Sequence, residues 1–288
     1  MTPSKSRSLS FSIGVCFVLS GATGLIYEVL WARMLGLVFG ATTLAVSTVL
    51  AAFMGGLALG SALAGRLAPR LTKPVAAYGW MEIGVAIYAL LVPILFHGVD
   101  NLYALVWRDL QPGFFTFTVL RFALSCLLLL VPTTLMGATL PVLAAALLRS
   151  ETHDANSVTR LYTCNLAGAI LGVLIAGFVL LPSVGVRTTI IIAAATNLVI
   201  GAVALFLQRQ VEISGGPSVA QSLLNDAPPN GDNNPLWFLA ALASGFVTIS
   251  TQVAWTRVLT MIVGSSTYAA RPGLIVGPTG AGPPPRRS

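Results

Sequence analysis

Residues 11–32 read FSIGVCFVLSGATGLIYEVLWA, with Glu28 the single charge among them. As a helix this stretch is about 33 Å long, enough for the roughly 30 Å hydrocarbon core of a bilayer. Six further runs of the same kind follow at 42–65, 75–97, 114–148, 162–182, 187–207 and 236–263. The seven together predict an all-α fold, a polytopic transmembrane helix bundle. Pro132 and Pro141 interrupt the fourth run. Inside a bundle such prolines kink a helix without ending it, because neighbouring groups can bond the carbonyls they free. Composition agrees, with 56% hydrophobic and 9% charged residues and a mean hydropathy of +0.86. Soluble domains carry about 25% charge, so lipid must solvate much of this surface. Disordered, collagen-like and disulfide-scaffold chains are excluded by the same composition.

The formal net charge of +7 would suggest a nucleic-acid partner in a soluble protein. Here the basic residues sit in short loops between apolar runs, where they act as topology signals, and no nucleic-acid partner is expected. With the N-terminus inside, Lys5, Arg7, Arg66, Arg70, Lys73, Arg149, Arg160 and Arg209 lie on the cytoplasmic side, against Arg33, Arg108, Arg187 and Arg257 outside. The predicted orientation is therefore N-terminus cytoplasmic. Lys5 and Arg7 before an apolar run also resemble a secretory signal. The run continues past Ser20-Gly21-Ala22 to Trp31, so an uncleaved first span is expected. Cys16, Cys126 and Cys164 all fall within apolar runs and read as packing residues. From 208 to 235 the sequence turns to Ser, Gly, Pro, Asn and Asp, a flexible cytoplasmic linker after a six-span module over 1–207.

The first run recurs. Ser20–Ala45 aligns without gaps on Ser244–Ala269 with nine identities, among them Trp31/Trp255 and Arg33/Arg257, read as structural repeat positions. Both copies start on the same side of the membrane, as a parallel repeat of six-span halves requires. Residues 236–269 are then the first span of a second repeat, a seventh span without its companions. After Ala269 the copies diverge into a tail, 270–288, in which nine of the last eighteen residues are Gly or Pro. That tail cannot form a spanning helix. The expectation is a frameshift or truncation near residue 270, and a disordered tail.

Several of these segments resemble the membrane part of fused major-facilitator/spermidine-synthase-like bacterial proteins. They are Ser20-Gly21, Tyr27-Glu28-Val29, Trp31-x-Arg33 and Gly40, then Phe53-Met54-Gly55-Gly56 to Gly60-Ser61, then Leu135-Met136-Gly137-Ala138-Thr139-Leu140-Pro141. The run from Arg160-Leu161-Tyr162 through Asn165, Gly168, Gly172 and Gly177 to Pro182 belongs with them. The resemblance covers about 11–269. It implies a major-facilitator-like half in the bacterial inner membrane, followed in the family by a Rossmann-like aminopropyltransferase domain acting on decarboxylated S-adenosylmethionine and a polyamine. No counterpart of that domain is expected within these 288 residues. The one Gly-rich candidate, Gly277 to Gly282, runs into Pro283, Pro284 and Pro285, which cannot continue the helix a nucleotide site needs. The chain alone is expected to be a non-catalytic module without cofactor, partnered by the lipid bilayer, a separately encoded or downstream catalytic domain, or a second copy. A transporter half moving a small cation or metabolite, and an inactive truncated product, are the alternatives. The Arg-rich loop from Gly60 to Lys73 is similar to a major-facilitator cytoplasmic loop, but Ala68 and Pro69 stand where an acidic residue is usual.

Charges within spans are costly and point to function; Glu28, Glu82 and Arg121 are three such residues. In one reading Tyr27, Glu28 and Glu82 face a cavity and attract a cation such as a polyamine or a proton. In the other, Arg121 neutralises a glutamate, Glu28 by position, and the cluster fixes helix register. The repeat replaces Tyr27-Glu28 with Thr251-Gln252. Ala52, Gly56, Gly60 and Ala64, like Cys164, Gly168, Gly172 and Ala176, line single helix faces and predict close helix contacts. Trp31, Trp107 and Trp255 read as interface anchors. His97 and His153 stand far from any metal partner, so no metal site is expected.

Overall fold

A computed structural model describes residues 3–39, 43–110, 114–148, 156–214 and 235–263. Every element among them is helical. The order is α1 (Pro3–Phe39), α2 (Thr43–Leu67), a 3-10 turn (Ala68–Arg70), α3 (Pro74–Leu110), α4 (Phe114–Leu148), α5 (Asn156–Ile175), a π-helical turn (Ala176–Leu180), α6 (Leu181–Ser214) and α7 (Pro235–Val263). Six stretches are long and apolar enough to cross a membrane: Phe11–Gly36, Ser47–Arg70, Pro74–Gly98, Phe122–Leu147, Val158–Gln210 and Phe238–Trp255. These mark a multi-pass membrane protein. The all-α bundle read from the sequence is the observed fold class.

The fifth stretch is 53 residues, about 80 Å of helix and far more than one crossing needs. Gly185 divides it, with φ 76° and ψ 177°, a combination open essentially to glycine alone. Two arms result, and helix contacts give their directions. Phe17, Val18 and Ala22 of α1 meet Asn165, Gly168 and Gly172 of α5 in the same order, so α1 and α5 run parallel. Gly56 and Gly60 of α2 likewise meet Thr133 and Ala138 of α4. By contrast Ala76, Gly79 and Glu82 of α3 meet Gln208, Gly201 and Asn197 of α6, an antiparallel pair. A chain that reverses at every connection from α1 to α6 satisfies all three relations. The predicted spans 162–182 and 187–207 are thus two crossings, joined more tightly than a loop would join them.

The glycines explain how close these pairs are. A Cβ at Gly60 would overlap the Thr134 carbonyl, one at Gly168 the Val18 carbonyl, and one at Gly172 the Ala22 carbonyl. Both predicted small-residue faces are therefore helix contacts, α2 on α4 and α5 on α1. Without a hydrophobic driving force in lipid, such van der Waals contact is what holds helices together.

Two apolar layers fill the bundle. One holds Leu30, Trp31, Val49, Ala89, Leu129 and Ala193; the other holds Ile13, Ala64, Val75, Leu143, Leu161 and Ile200. Along each of α1, α2, α3, α4 and α6 the residues of one layer precede those of the other. The segment between them carries the polar groups described below. Pro132 removes the N–H that would bond the Leu128 carbonyl. Tyr88 of α3 fills that place, its hydroxyl donating to Leu128 O at 2.8 Å, and α4 continues as helix through both prolines.

Two expectations are corrected. Trp31 is not an interface anchor: it is 0% exposed, stacked on Tyr27 with ring centroids 5.3 Å apart, and its Nε1 has no hydrogen-bond partner among the described residues. The linker expected from 208 begins later, because α6 continues to Ser214. The chain divides into two units, Met1–Leu239 and Ala240–Ser288. In the second, Trp255 is 61% exposed, and Phe246 and Val247 on the same helix are exposed too. Arg33 and Arg257 are exposed in both copies. The Trp107 side chain, the structure of 215–234, residues 264–269 of the repeat, the tail 270–288 with Gly277 to Gly282, and His153 lie outside the described residues.

Candidate functional site

The polar segment between the layers encloses a cavity of about 270 Å³. Helix α1 supplies Phe17, Ser20, Gly21, Thr23, Gly24 and Leu25, α2 supplies Phe53, Leu57 and Ser61, and α4 supplies Met136 to Leu140 without Ala138. Tyr162 and Asn165 come from α5, Glu82 and Val85 from α3, and Asn197 from α6. Tyr162, still 55% exposed, marks the rim.

Glu82 is 1% exposed. Ser20 Oγ donates to its Oε1 at 2.6 Å and Asn197 Nδ2 to its Oε2 at 2.6 Å. Tyr27 OH donates to Asn197 Oδ1 at 3.4 Å, which fixes the amide with its N–H toward the carboxylate. Tyr78, buried one turn earlier on α3, donates to the Cys16 carbonyl at 3.4 Å. The side chain of Asn165 donates to the Phe17 carbonyl at 3.3 Å, tying α5 to the α1 segment that carries Ser20. Three helices, α1, α3 and α6, therefore meet at one carboxylate, and α5 is tied to the first of them.

Glu82 makes no ion pair among the described residues. Desolvating an ion costs several kcal/mol even after relaxation, while a hydrogen bond to a charged group returns about 1.5–3 kcal/mol. These bonds hold the carboxyl group in place, and its ionised form has no counter-charge among the described residues. The arrangement suits a cation entering the cavity.

The predicted residues separate. Glu82 lines the cavity. Tyr27 stands behind it and reaches it through Asn197. Glu28, 8% exposed, is not part of the lining and makes no hydrogen bond or ion pair among the described residues. The Arg121 side chain lies outside the described residues, and with it the expected Glu28–Arg121 pair. Ser20, Asn165 and Asn197 were not singled out as polar site residues. Asn197 is the amide of an otherwise apolar run, a signal that polar residues in spans bond across helices. Among the described residues no three His, Cys, Asp or Glu converge as a metal site would need.

No family model, curated protein or solved structure matches the chain.

Proposed function

We propose that this chain is the membrane-embedded module of a fused major-facilitator/spermidine-synthase-like protein, non-catalytic by itself, and that its bundle binds a small cation at Glu82. The single observation that carries the binding reading is the buried Glu82 carboxylate, held by neutral donors on the wall of a cavity between two apolar layers. Support for the module reading comes from the motifs and the repeat. Sites of this kind in transporters lie near the bilayer midplane, which favours the transporter-half form of the module. The inner membrane as location, a cytoplasmic N-terminus, and a partner catalytic domain or second copy belong to the same proposal.

Calorimetric titration of the purified protein with sodium, butylammonium and 1,4-diaminobutane tests the binding reading. At least one of them binds the wild type and loses about thirtyfold or more in affinity on Glu82→Gln, as expected when one partner of a buried charge pair is removed. If none of the three binds in a Glu82-dependent way, the reading is wrong.

A further inference from the structure

Resting on that binding reading, we infer that the cavity takes a monovalent ammonium ion with a short apolar tail. Among the described residues Glu82 is the only carboxylate in the lining. Glu28 does not join it, so the site offers one negative charge and matches one positive charge.

The hydrogen-bonding inventory fits an ammonium. A carboxylate has about four acceptor positions; Ser20 and Asn197 occupy two of them and the Tyr78 hydroxyl approaches the same carboxylate, which leaves at least one open. Ser20 Oγ, having donated its proton to Glu82, keeps lone pairs that can accept. An ammonium group brings three donors and no acceptor, which is what these free positions require. The remaining wall is largely apolar: Phe17, Phe53, Leu57, Val85, Met136 and Leu140. A hydrocarbon tail is solvated there as it is in a protein core, and the two phenylalanine rings suit a cation nearby. The volume, roughly nine water molecules' worth, sets a short tail.

Other cations match less well. A calcium ion takes six to eight oxygen ligands at close range, and this wall offers one carboxylate and scattered hydroxyls and amides. The second ammonium of a diamine would lie against Leu and Phe side chains without a counter-charge.

Competition binding to the wild type in nanodiscs, with ammonium, methyl-, propyl- and butylammonium, sodium and 1,4-diaminobutane, tests the assignment. Affinity rises about fourfold per added methylene until the tail fills the cavity, and butylammonium exceeds 1,4-diaminobutane by about tenfold or more. Glu82→Asp, which keeps the charge, keeps this order of preference. Equal binding of butylammonium and 1,4-diaminobutane, tighter binding of sodium, or the absence of a chain-length trend overturns the inference, while Glu82-dependent binding of any of them still upholds the broader cation reading. Failure of every probe overturns both. The chain-length series uses the wild type throughout, so a variant that does not fold leaves the test intact.

Discussion

Asn197 determines how Glu82 is presented to the cavity. Its Oδ1 accepts from Tyr27 and its Nδ2 donates to Glu82; a rotated amide would set a carbonyl against a carboxylate. Asn197→Leu keeps the volume and removes the donor. The loss is that of the hydrogen bond to Glu82, about 1.5–3 kcal/mol, together with the weaker one accepted from Tyr27. Tyr27→Phe removes only the longer 3.4 Å bond and costs less, about 0.5–1.5 kcal/mol. Unfolding of both variants in detergent, followed by circular dichroism, checks the order; a Tyr27→Phe loss as large as that of Asn197→Leu would place the network's weight on Tyr27 instead. The sequence shows at this scale that Glu28 and Glu82 are charges within spans. It does not show which of them meets a cavity, because that depends on how each helix is rotated against five others. Ser20 and Asn197 are small neutral groups within apolar runs, and they gain meaning only once α1, α3 and α6 come together. Trp31 was misread for a related reason: position along a span suggests an interface, but rotation toward Tyr27 and Phe53 buries it.

The helices themselves were legible, since lipid demands long apolar runs with every backbone group satisfied internally. The fourth run, 114–148, and α4 share the same ends. What periodicity could not supply was the reversal near the start of α6, where a single Gly185 stands in for a loop. Nor could it supply the cross-helix repair at Pro132. That repair makes a sharp prediction. Tyr88→Phe leaves the Leu128 carbonyl without its donor and costs about 1–3 kcal/mol. In a Pro132→Ala background the backbone N–H of residue 132 is restored to that same carbonyl, so Tyr88→Phe then costs little. A double-mutant cycle on unfolding free energy should show a coupling of about 1 kcal/mol or more, within the range seen for groups sharing one partner. Additive losses would mean that Tyr88 contributes through packing alone. The cycle is informative because both substitutions leave the glycine contacts of α2 with α4 unchanged.

Across the whole molecule, the pairing senses carry the relative topology, and the proposed absolute orientation rests on the basic residues. Parallel α1 with α5, parallel α2 with α4 and antiparallel α3 with α6 are together met by six successive crossings. Six crossings return the chain after Ser214 to the side from which it began. The proposal that this side is cytoplasmic rests on the count of Lys and Arg, eight to four, the bias that orients membrane helices. These are independent arguments, and one experiment separates them. In a cysteine-free background, single cysteines are introduced at Ser6, Gln111 and Ser218 and labelled with a membrane-impermeant maleimide on intact cells and on inverted vesicles. Ser6→Cys and Ser218→Cys should react only in inverted vesicles, and Gln111→Cys, between α3 and α4, only on intact cells. Labels for residues 6 and 218 on opposite sides mean an odd number of crossings, and the division of the 53-residue stretch at Gly185 into two spans is then wrong. If both appear outside together, the helix packing stands and the charge count has misplaced the chain. The Glu82 cavity keeps its walls in that case, but its rim at Tyr162, near the start of α5, would open toward the opposite compartment.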